Sequence, residues 1–358
     1  MSTGEIYTLH GLKLSYFTGK LEAYLRAKGI PFRYVEMDMK DFRACATATG
    51  IAQMPQLQCP DGSWLTDTTA IIAHFEEFWP KPRLHAETSD VRFASLLLED
   101  LFDEWLWRPA LYYRWAHGQD ARLMGEQLAR GLLRDVPAPV ALKRLFVTLR
   151  QQYHFLYRDG VRRETREQVE NLFLRTLDIL EVIFHDRPYI MGRRPCEADF
   201  ALFGPFQRHF ANDPTPAAIM RSRAPRTLEW VARLWAAKAE TLRGAPPITY
   251  VPSDLEPFFA MASAEYLPYL EANAAAYVAR GAQVEYTLDD VAWKVPVSPY
   301  RVLCLRRLRD QFGALSDQSK ANVRGWLGKG ADMLDQPLDG LELRKGGGPV
   351  RDRQLRPL

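Results

Sequence analysis

The order of strand and helix patterns near the start of the chain restricts the fold that this part can adopt. A β-rich run at 6–10 precedes apolar residues at helical spacing in 17–28, and a second β-rich run covers 32–37. Gly29, directly after the helical pattern, is a common way for a helix to end. A strand–helix–strand unit predicts two parallel strands, because the helix carries the chain back to the starting edge of the sheet.

A short helix and a hairpin complete this first unit. Residues 40–48 have a helical pattern, and two short strands at 56–59 and 63–65 follow. Asp61-Gly62 between these strands is typical of a tight antiparallel turn. Another helical pattern begins after Thr66. Residues 1–80 therefore predict an α/β domain with a small mixed four-stranded sheet and helices on its faces.

The pattern changes after the connector Pro80-Lys81-Pro82-Arg83, beyond which nearly all periodicity is helical. We place an all-helical domain at 88–245. Its predicted helices are 90–117, 121–134, 138–157, 163–185, 196–211 and 225–242.

The remaining residues form a C-terminal extension at 246–344. Residues 254–280 predict one or two helices, and period-two patterns on both sides of Asp289-Asp290 predict a β-hairpin. Pro299 to Phe312 predicts an amphipathic helix. Because these elements carry apolar faces, we expect the extension to dock on the helical domain. We expect 345–358 to be a flexible tail.

Composition limits the possible partners. The chain has 358 residues and a net charge of +3, too small to favour nucleic acid as a partner. Its four cysteines form no CxxC pair, and its seven histidines show no metal-ligand spacing. No apolar run is as long as a membrane span, and the first residues lack a signal-peptide pattern. We therefore expect a cytoplasmic protein with no metal, no nucleic-acid partner and no membrane partner.

One candidate site combines three pieces of the first 80 residues. The turn into the first helix offers the hydroxyls of Ser15, Tyr16 and Thr18, where unpaired N–H groups favour an anion. The second piece is Gln53-Met54-Pro55, a turn that can present the backbone of Met54 to a peptide ligand. The third is Asp67-Thr68 at a helix start, where a carboxylate can bind.

These pieces, in this order, resemble the thioredoxin-like N-terminal domain of the cytosolic glutathione S-transferase superfamily. The resemblance is carried by Gly19-Lys20-Leu21-Glu22-Ala23, by Gln53-Met54-Pro55 and by Asp67-Thr68. The second domain resembles the all-helical domain of that family at Tyr189-Ile190-Met191-Gly192 and at Pro195-Cys196-Glu197-Ala198-Asp199-Phe200. The resemblance covers residues 5 to about 243, and Cys196 departs from the family's usual Ser or Thr at that helix start.

The resemblance implies that glutathione is the co-substrate. It implies a cis proline at Pro55, with Gln53, Met54 and Pro55 beside glutathione and the backbone of Met54 paired with its cysteinyl unit. It also implies that Asp67 and Thr68 hold the γ-glutamyl carboxylate.

The resemblance favours a serine-type enzyme, with Ser15 donating a hydrogen bond that stabilises the glutathione thiolate. Such a donor lowers the thiol pKa from about 8.5–9 towards neutrality. Tyr16 and Thr18 are the alternatives for this role.

An apolar pocket for the second substrate is expected against the aromatic stretch that follows Trp105. Its candidate residues are Tyr112, Tyr113 and Trp115, because rings at consecutive helical positions cannot all point in one direction. Packing in the core or at a dimer interface is the alternative.

The predicted function is conjugation of glutathione to an apolar electrophile by a homodimer. One alternative is a non-catalytic binding or interaction protein with the same fold, which the long extension favours. The other is a glutathione-dependent thiol-disulfide reductase, which the lack of a cysteine in the first helix turn disfavours.

Overall fold

The computed structural model describes residues 6–79, 81–337 and 341. The N-terminal domain contains a four-stranded sheet in the order β2-β1-β3-β4. Its strands are β1 (Tyr7–Gly11), β2 (Phe32–Glu36), β3 (Gln56–Gln58) and β4 (Trp64–Leu65). Strand β1 runs parallel to β2 and antiparallel to β3, and β3 runs antiparallel to β4. The predicted mixed sheet is therefore confirmed.

Three helices pack with this sheet, and local capping explains both ends of the first and the start of the second. The helices are α1 (Tyr16–Lys28), α2 (Met39–Thr49) and α3 (Thr68–Phe78). Ser15 caps the start of α1, and Gly29 ends it with a φ of 75° that favours glycine. Asp38 and Asp41 form a capping box at the start of α2.

The second domain is helical, as predicted. Its helices are α4 (Ser89–Trp105), α5 (Trp107–Ala116), α6 (Gly118–Arg130), α7 (Val140–Gln151), α8 (Arg166–Asp186), α9 (Glu197–Pro205), α10 (Pro214–Arg223), α11 (Pro225–Trp235) and α12 (Ala239–Arg243). Two π-helical turns, Gln152–Tyr157 and Phe206–Phe210, continue α7 and α9.

Two helices predicted for this domain are divided in the structure. The helix predicted at 225–242 consists of α11 and α12. The helix predicted at 90–117 is broken at Leu106, because Pro109 has no N–H to bond the carbonyl of Trp105. Sequence analysis also missed α10, which begins at Pro214. The prolines at the start of α10 suggested a loop in the sequence. Proline is in fact well suited to the first turn of a helix, where its missing N–H has no helical partner to bond.

The extension consists of helices and one hairpin. After a 3₁₀ turn at Ser253–Leu255 it contains α13 (Glu256–Met261), a π-helical turn (Ala262–Tyr266), α14 (Leu267–Val278), β5 (Gln283–Leu288), β6 (Val291–Pro296), α15 (Pro299–Gly313), α16 (Asp317–Leu327) and α17 (Gly330–Leu334). Asp289 and Asp290 both have positive φ, which is the conformation of a two-residue type I′ hairpin turn. Sequence analysis missed α16 and α17, and the predicted tail at 345–358 lies outside the described residues.

The extension packs on the helical domain and shares its core. The rings of Phe102 and Phe258 contact edge to face, with centroids 4.9 Å apart. Trp105 Nε1 donates to Glu265 Oε2 at 3.1 Å. Val302 and Leu305 of α15 are fully buried in the same hydrophobic cluster as α4. The apolar faces of the extension therefore pack against the helical domain, and α4 provides part of the surface that buries them.

Among the described residues, none of the helices combines the length and apolar character needed to cross a membrane. In the same part of the chain, no three His, Cys, Asp or Glu side chains are grouped so that they could hold a metal ion.

Buried carboxyl groups predict that the free energy of unfolding falls as pH rises. Burial raises the pKa of Asp100 to about 7 and that of Glu197 to about 8. Both values lie above those of the unfolded chain, so these two groups bind more protons in the folded state and their contribution to stability falls between about pH 4 and 8. Burial lowers the pKa values of His10, His85 and His209, so these imidazoles oppose the trend below about pH 6.5. We therefore expect a lower melting temperature at about pH 8 than at about pH 6.5.

The variant Asp100→Asn tests this prediction, because Asp100 accepts a hydrogen bond from the Tyr266 hydroxyl at 2.7 Å and an amide oxygen can replace that acceptor. The variant should lose the part of the pH dependence that lies between about pH 4 and 7, worth roughly 1–4 kcal/mol. Equal slopes of stability against pH in both proteins would contradict the prediction.

Candidate functional site

A small cleft lies where the N-terminal domain, the helical domain and the extension meet. Its volume is about 70 Å³. The lining residues are Phe17, Gln53, Met54, Pro55, Asp67, Thr68, Glu104, Trp107, Tyr300 and Arg301. The structure thus brings together five residues that the sequence analysis assigned to glutathione, and it adds residues from the two other parts of the chain.

The Gln53-Met54-Pro55 turn forms one wall of the cleft. The Met54–Pro55 peptide bond is cis. Gln56, buried at the start of β3, holds the turn in place, because its Nε2 donates to the carbonyls of Ile51 at 2.7 Å and Gln53 at 3.1 Å. A fixed turn presents its backbone to a ligand without a further ordering cost.

The start of α3 forms a second wall. Asp67 has a φ of 69°, and its Oδ1 accepts the backbone N–H of Thr69 at 3.2 Å. Its Oδ2 accepts a hydrogen bond from Arg307 Nη2 at 2.9 Å. Thr68 is the first residue of α3, so its hydroxyl and the first N–H groups of the helix lie at the positive end of the helix dipole.

Two stacked aromatic rings also line the cleft. The rings of Phe17 and Trp107 stack with an interplanar angle of 23° and centroids 6.0 Å apart. Phe17 belongs to the first turn of α1, and Trp107 is the first residue of α5. The cleft therefore combines polar groups with aromatic surface, as ligand sites commonly do.

Ser15 is the partly exposed hydroxyl at the start of α1. Its Oγ accepts the backbone N–H of Thr18 at 3.4 Å, which leaves its own proton available to donate. Ser15 is not among the residues that line the cleft, but Phe17 in the same turn is.

The two alternative hydroxyls are engaged in the interior. Tyr16 is 2% exposed, and its hydroxyl donates to the carbonyl of Phe102. Burial raises the pKa of Tyr16 well above its usual value. Thr18 is fully buried, and its Oγ1 accepts the backbone N–H of Leu12 at 3.4 Å. Either side chain would have to leave the core to reach a ligand.

A buried ion cluster behind the cleft joins the two domains. Lys20 Nζ donates to Glu99 Oε1 at 2.6 Å, to Asp103, and to Thr69 Oγ1 at 3.1 Å. Burial alone would lower the pKa of Lys20, but the carboxylates of Asp103 and Glu99 raise it above its usual value. This charged lysine links α1, α3 and α4 and so fixes the elements that border the cleft.

Helix α15 of the extension supplies two of the residues that line the cleft. Arg301 is 3% exposed, donates from Nε to Glu104 Oε2 at 3.0 Å and from Nη1 to the Tyr269 hydroxyl at 2.6 Å. Tyr300 lines the cleft beside it, and Arg307 pairs with Asp67 two helical turns further on. These residues were not predicted from the sequence. The four arginines in the amphipathic pattern of α15 did indicate that this helix would lie near carboxylate side chains.

The three aromatic residues predicted to line the substrate pocket lie elsewhere. Tyr112, Tyr113 and Trp115 are each less than 5% exposed, and none of them lines the cleft. Helix α5 packs against α6, α8 and both π-helical turns, so its rings are buried on several faces. In this structure they pack the core, and Phe17, Trp107 and Tyr300 provide the aromatic surface of the cleft.

A second cavity of about 310 Å³ lies between α8 and the hairpin of the extension. Trp105, Arg108 and Trp293 form part of its wall, and the Arg108 guanidinium lies 5.0 Å from the centroids of both tryptophan rings. It shares no lining residue with the cleft.

All four cysteines are free thiols. Burial raises the pKa of Cys45 to about 11 and raises the pKa values of Cys196 and Cys304 well above the usual range. None of the four stands in the turn that begins α1. A thiol at the helix start, which a reductase of this fold would use, is therefore missing from this chain.

Comparison with known proteins gives one family match. Residues 9–83 match the family model described as glutathione S-transferase, N-terminal domain. A comparison with curated protein sequences gave no match.

Several solved structures match about two thirds of the chain. A glutathione S-transferase from Rhodospirillum rubrum F11 is 18% identical over 69% of this chain and 96% of its own, with a TM-score of 0.43. Beta-etherase LigF from Sphingobium sp. strain SYK-6 is 18% identical over 66% of this chain and 98% of its own, with a TM-score of 0.45. A glutathione S-transferase from Methylobacterium radiotolerans, solved with glutathione sulfonate, is 19% identical over 69% of this chain and 97% of its own, with a TM-score of 0.41.

Proposed function

We propose that this chain, which belongs to the glutathione S-transferase superfamily by its N-terminal domain, binds glutathione in the cleft and transfers it to an apolar electrophile. The observation that carries the proposal is the meeting of the Met54–Pro55 turn, the start of α3 and the stacked rings of Phe17 and Trp107 around one cleft. The backbone of Met54 would pair with the cysteinyl unit. Thr68 and the first N–H groups of α3 would take the γ-glutamyl carboxylate.

Ser15 is our candidate for thiol activation. Its Oγ accepts the backbone N–H of Thr18, and this contact does not use the hydroxyl proton, which can be donated to a ligand. A donor at that position stabilises the thiolate, and the positive end of the α1 dipole adds to this effect. The thiolate sulfur would then form a bond to the electrophilic carbon. Either that carbon loses its leaving group with the bonding electron pair, or, where the carbon belongs to an activated double bond, the π electron pair moves to the neighbouring carbon, which takes up a proton from water.

A second candidate function is glutathione binding without turnover. It is favoured by the size of the cleft, since about 70 Å³ is well below the roughly 300–1,000 Å³ of ordinary ligand sites. A tripeptide could enter only after α15 side chains had moved, because Tyr300 and Arg301 line the cleft and Arg307 pairs with Asp67. The two candidates differ in one measurement, because only the enzyme forms a thioether product.

Glutathione binding is tested by titration calorimetry on the wild type, Arg307→Ala and a neighbouring control. Arg307 must leave Asp67 before the γ-glutamyl ammonium can approach that carboxylate, so removing Arg307 should strengthen binding about two- to tenfold. Arg306→Ala is the matched control, because Arg306 pairs with Asp310 on α15 itself. We expect micromolar to millimolar affinity for the wild type and an unchanged affinity for Arg306→Ala.

The absence of both heat and a thermal shift at about 10 mM glutathione, in the wild type and in Arg307→Ala alike, would refute binding. Binding without product from any electrophile tested would favour the non-catalytic candidate. We also propose a homodimer, which sedimentation at several protein concentrations would test.

A further inference from the structure

The cavity between α8 and the hairpin lies outside the candidate glutathione site. Its volume of about 310 Å³ falls at the lower end of the roughly 300–1,000 Å³ that small-molecule sites occupy. Residues of α4, α5, α8, α10 and the extension line it. Because it shares no lining residue with the cleft, a ligand bound here would not depend on the function proposed above.

Arg108 lines this cavity and is a buried cation with few hydrogen bonds. It is 2% exposed. Its Nε donates to the carbonyl of Asp159 at 3.4 Å, and Arg108 donates no other hydrogen bond to the residues that the structure describes. Its Nη2 is buried without a partner. A guanidinium carries five N–H donors, and a buried donor without an acceptor is costly. Arg108 therefore favours a ligand that brings an acceptor atom.

Aromatic rings surround the same guanidinium. The centroids of Trp105, Tyr269 and Trp293 each lie 5.0 Å from it. Such contacts hold the cation against ring faces and leave its N–H donors for an acceptor. The indole N–H groups of Trp105 and Trp293 already donate to neighbouring side chains. These two tryptophans and Leu172 therefore give the cavity an apolar lining, which fits a flat aromatic molecule.

The other charged side chains that line the cavity are largely paired with each other. Arg175 pairs with Glu265 at 2.6 Å, and Arg223 pairs with Asp178 at 2.6 Å. Asp289, in the hairpin turn, is exposed and adds one negative charge. These lining residues therefore supply no excess of positive charge for an anionic ligand.

The charge of Arg108 itself is also balanced. Asp159 contacts two guanidiniums, because its Oδ2 lies 3.5 Å from Arg108 Nε and its Oδ1 lies 3.9 Å from Arg301 Nη1. Glu104 pairs with Arg301 at 3.0 Å. Two arginines thus meet two carboxylates. An anionic ligand would add a partly buried charge without a counter-charge, whereas an uncharged acceptor oxygen would not.

We infer that this cavity binds an uncharged aromatic molecule that carries a carbonyl oxygen. The oxygen accepts hydrogen bonds from the Arg108 guanidinium, and the aromatic body packs against Trp105 and Trp293. The carbonyl provides the acceptor that Arg108 lacks, the flat body matches the apolar lining, and the lack of charge agrees with the balanced ion pairs. The cavity is therefore a second small-molecule site of this chain.

Equilibrium dialysis of the full-length protein with three naphthalene probes tests the inference. 2-Acetylnaphthalene carries the carbonyl, 2-ethylnaphthalene has a similar shape without it, and 2-naphthoate carries a negative charge. We expect the ketone to bind about tenfold or more tightly than either of the others, because a hydrogen bond from a charged donor contributes that much. An excess of glutathione should not displace the ketone.

Variants assign the binding to Arg108 and to this cavity. Arg108→Met keeps a long side chain without its donors, so affinity for the ketone should fall about tenfold while affinity for the hydrocarbon stays nearly unchanged. Arg194→Met, at a buried arginine that lines neither cavity, is the matched control and should keep the preference for the ketone.

Asn171 allows a second variant that leaves the core in place, because it is an exposed residue of the cavity lining. Asn171→Trp should fill the cavity and weaken the binding of ketone and hydrocarbon alike. Asn171→Ala leaves the space open and should bind both probes as the wild type does. The melting temperatures of both variants should stay close to that of the wild type.

Four results would overturn the inference. No binding of any probe, or an unchanged preference for the ketone in Arg108→Met, would remove its basis. Tighter binding of 2-naphthoate than of the ketone would make the ligand an anion. Full binding of the ketone by Asn171→Trp, with displacement by glutathione, would place the ketone in the cleft instead.

Discussion

Replacing Ser15 by Ala is expected to lower the turnover of glutathione conjugation by about one to three orders of magnitude. This is the usual cost of removing one oriented donor from a developing or stabilised anion. Without the hydroxyl, the pKa of bound glutathione rises, so less thiolate is present at neutral pH. The pH–rate profile should shift to higher pH, and the affinity for glutathione, measured by calorimetry, should change little.

The loss of a helix cap must be separated from the loss of a catalytic donor. Ser15 caps α1, and its replacement by Ala costs about 1 kcal/mol of stability by that route alone. Ser316→Ala is the matched control, because Ser316 caps α16 by accepting the N–H of Ser319 at 3.3 Å. It should lower the melting temperature similarly and leave the pH–rate profile unchanged. Ser15→Thr, which keeps a hydroxyl, should retain much of the activity.

Tyr16→Phe separates the two hydroxyls at this helix start. The Tyr16 hydroxyl donates to Phe102 in the core, so its removal should affect stability and leave the pH–rate profile in place. An unchanged profile in Ser15→Ala, together with a loss of turnover in Tyr16→Phe, would assign the role to Tyr16.

The parts of the fold that local sequence determines could be predicted from the sequence. The strand–helix–strand order, the Asp61-Gly62 turn and the stop at Gly29 are signals within a few residues of the structures they form. The hairpin around Asp289-Asp290 is also local, because two residues with positive φ are sufficient to join its strands.

The completed site could not be predicted in the same way. Arg307 and Asp67 are 240 residues apart in the sequence, and no local pattern relates them. The burial of Tyr112, Tyr113 and Trp115 away from the cleft has a related cause. Their helical spacing suggested that some rings had to face a cleft, but neighbouring elements bury α5 on several faces. Burial of that kind depends on tertiary packing, which periodicity along one helix does not contain.

Truncation after Pro247 is expected to prevent stable folding of what remains. The cut removes fully buried side chains such as Phe258, Leu270 and Leu305, and it exposes Phe102 and Trp105 on α4. Each large apolar side chain that remains and is left in water costs about 1.5–3 kcal/mol, so Phe102 and Trp105 alone lose roughly 3–6 kcal/mol, a large part of the about 5–15 kcal/mol that stabilises a typical domain.

A graded version of this experiment keeps the chain intact. Leu305→Ala should cost about 2–5 kcal/mol in denaturant unfolding, because it leaves a cavity between α15 and α4. Val278→Ala, at a residue of the extension that is 51% exposed, is the matched control and should change stability by less than about 1 kcal/mol. If the truncated protein is instead well dispersed, as heat-stable as the full chain and kinetically unchanged, then the extension is an independent appendage. In that case Tyr300, Arg301 and Arg307 of α15 would have no part in the chemistry, because a chain that lacks them would bind and use glutathione just as the full chain does.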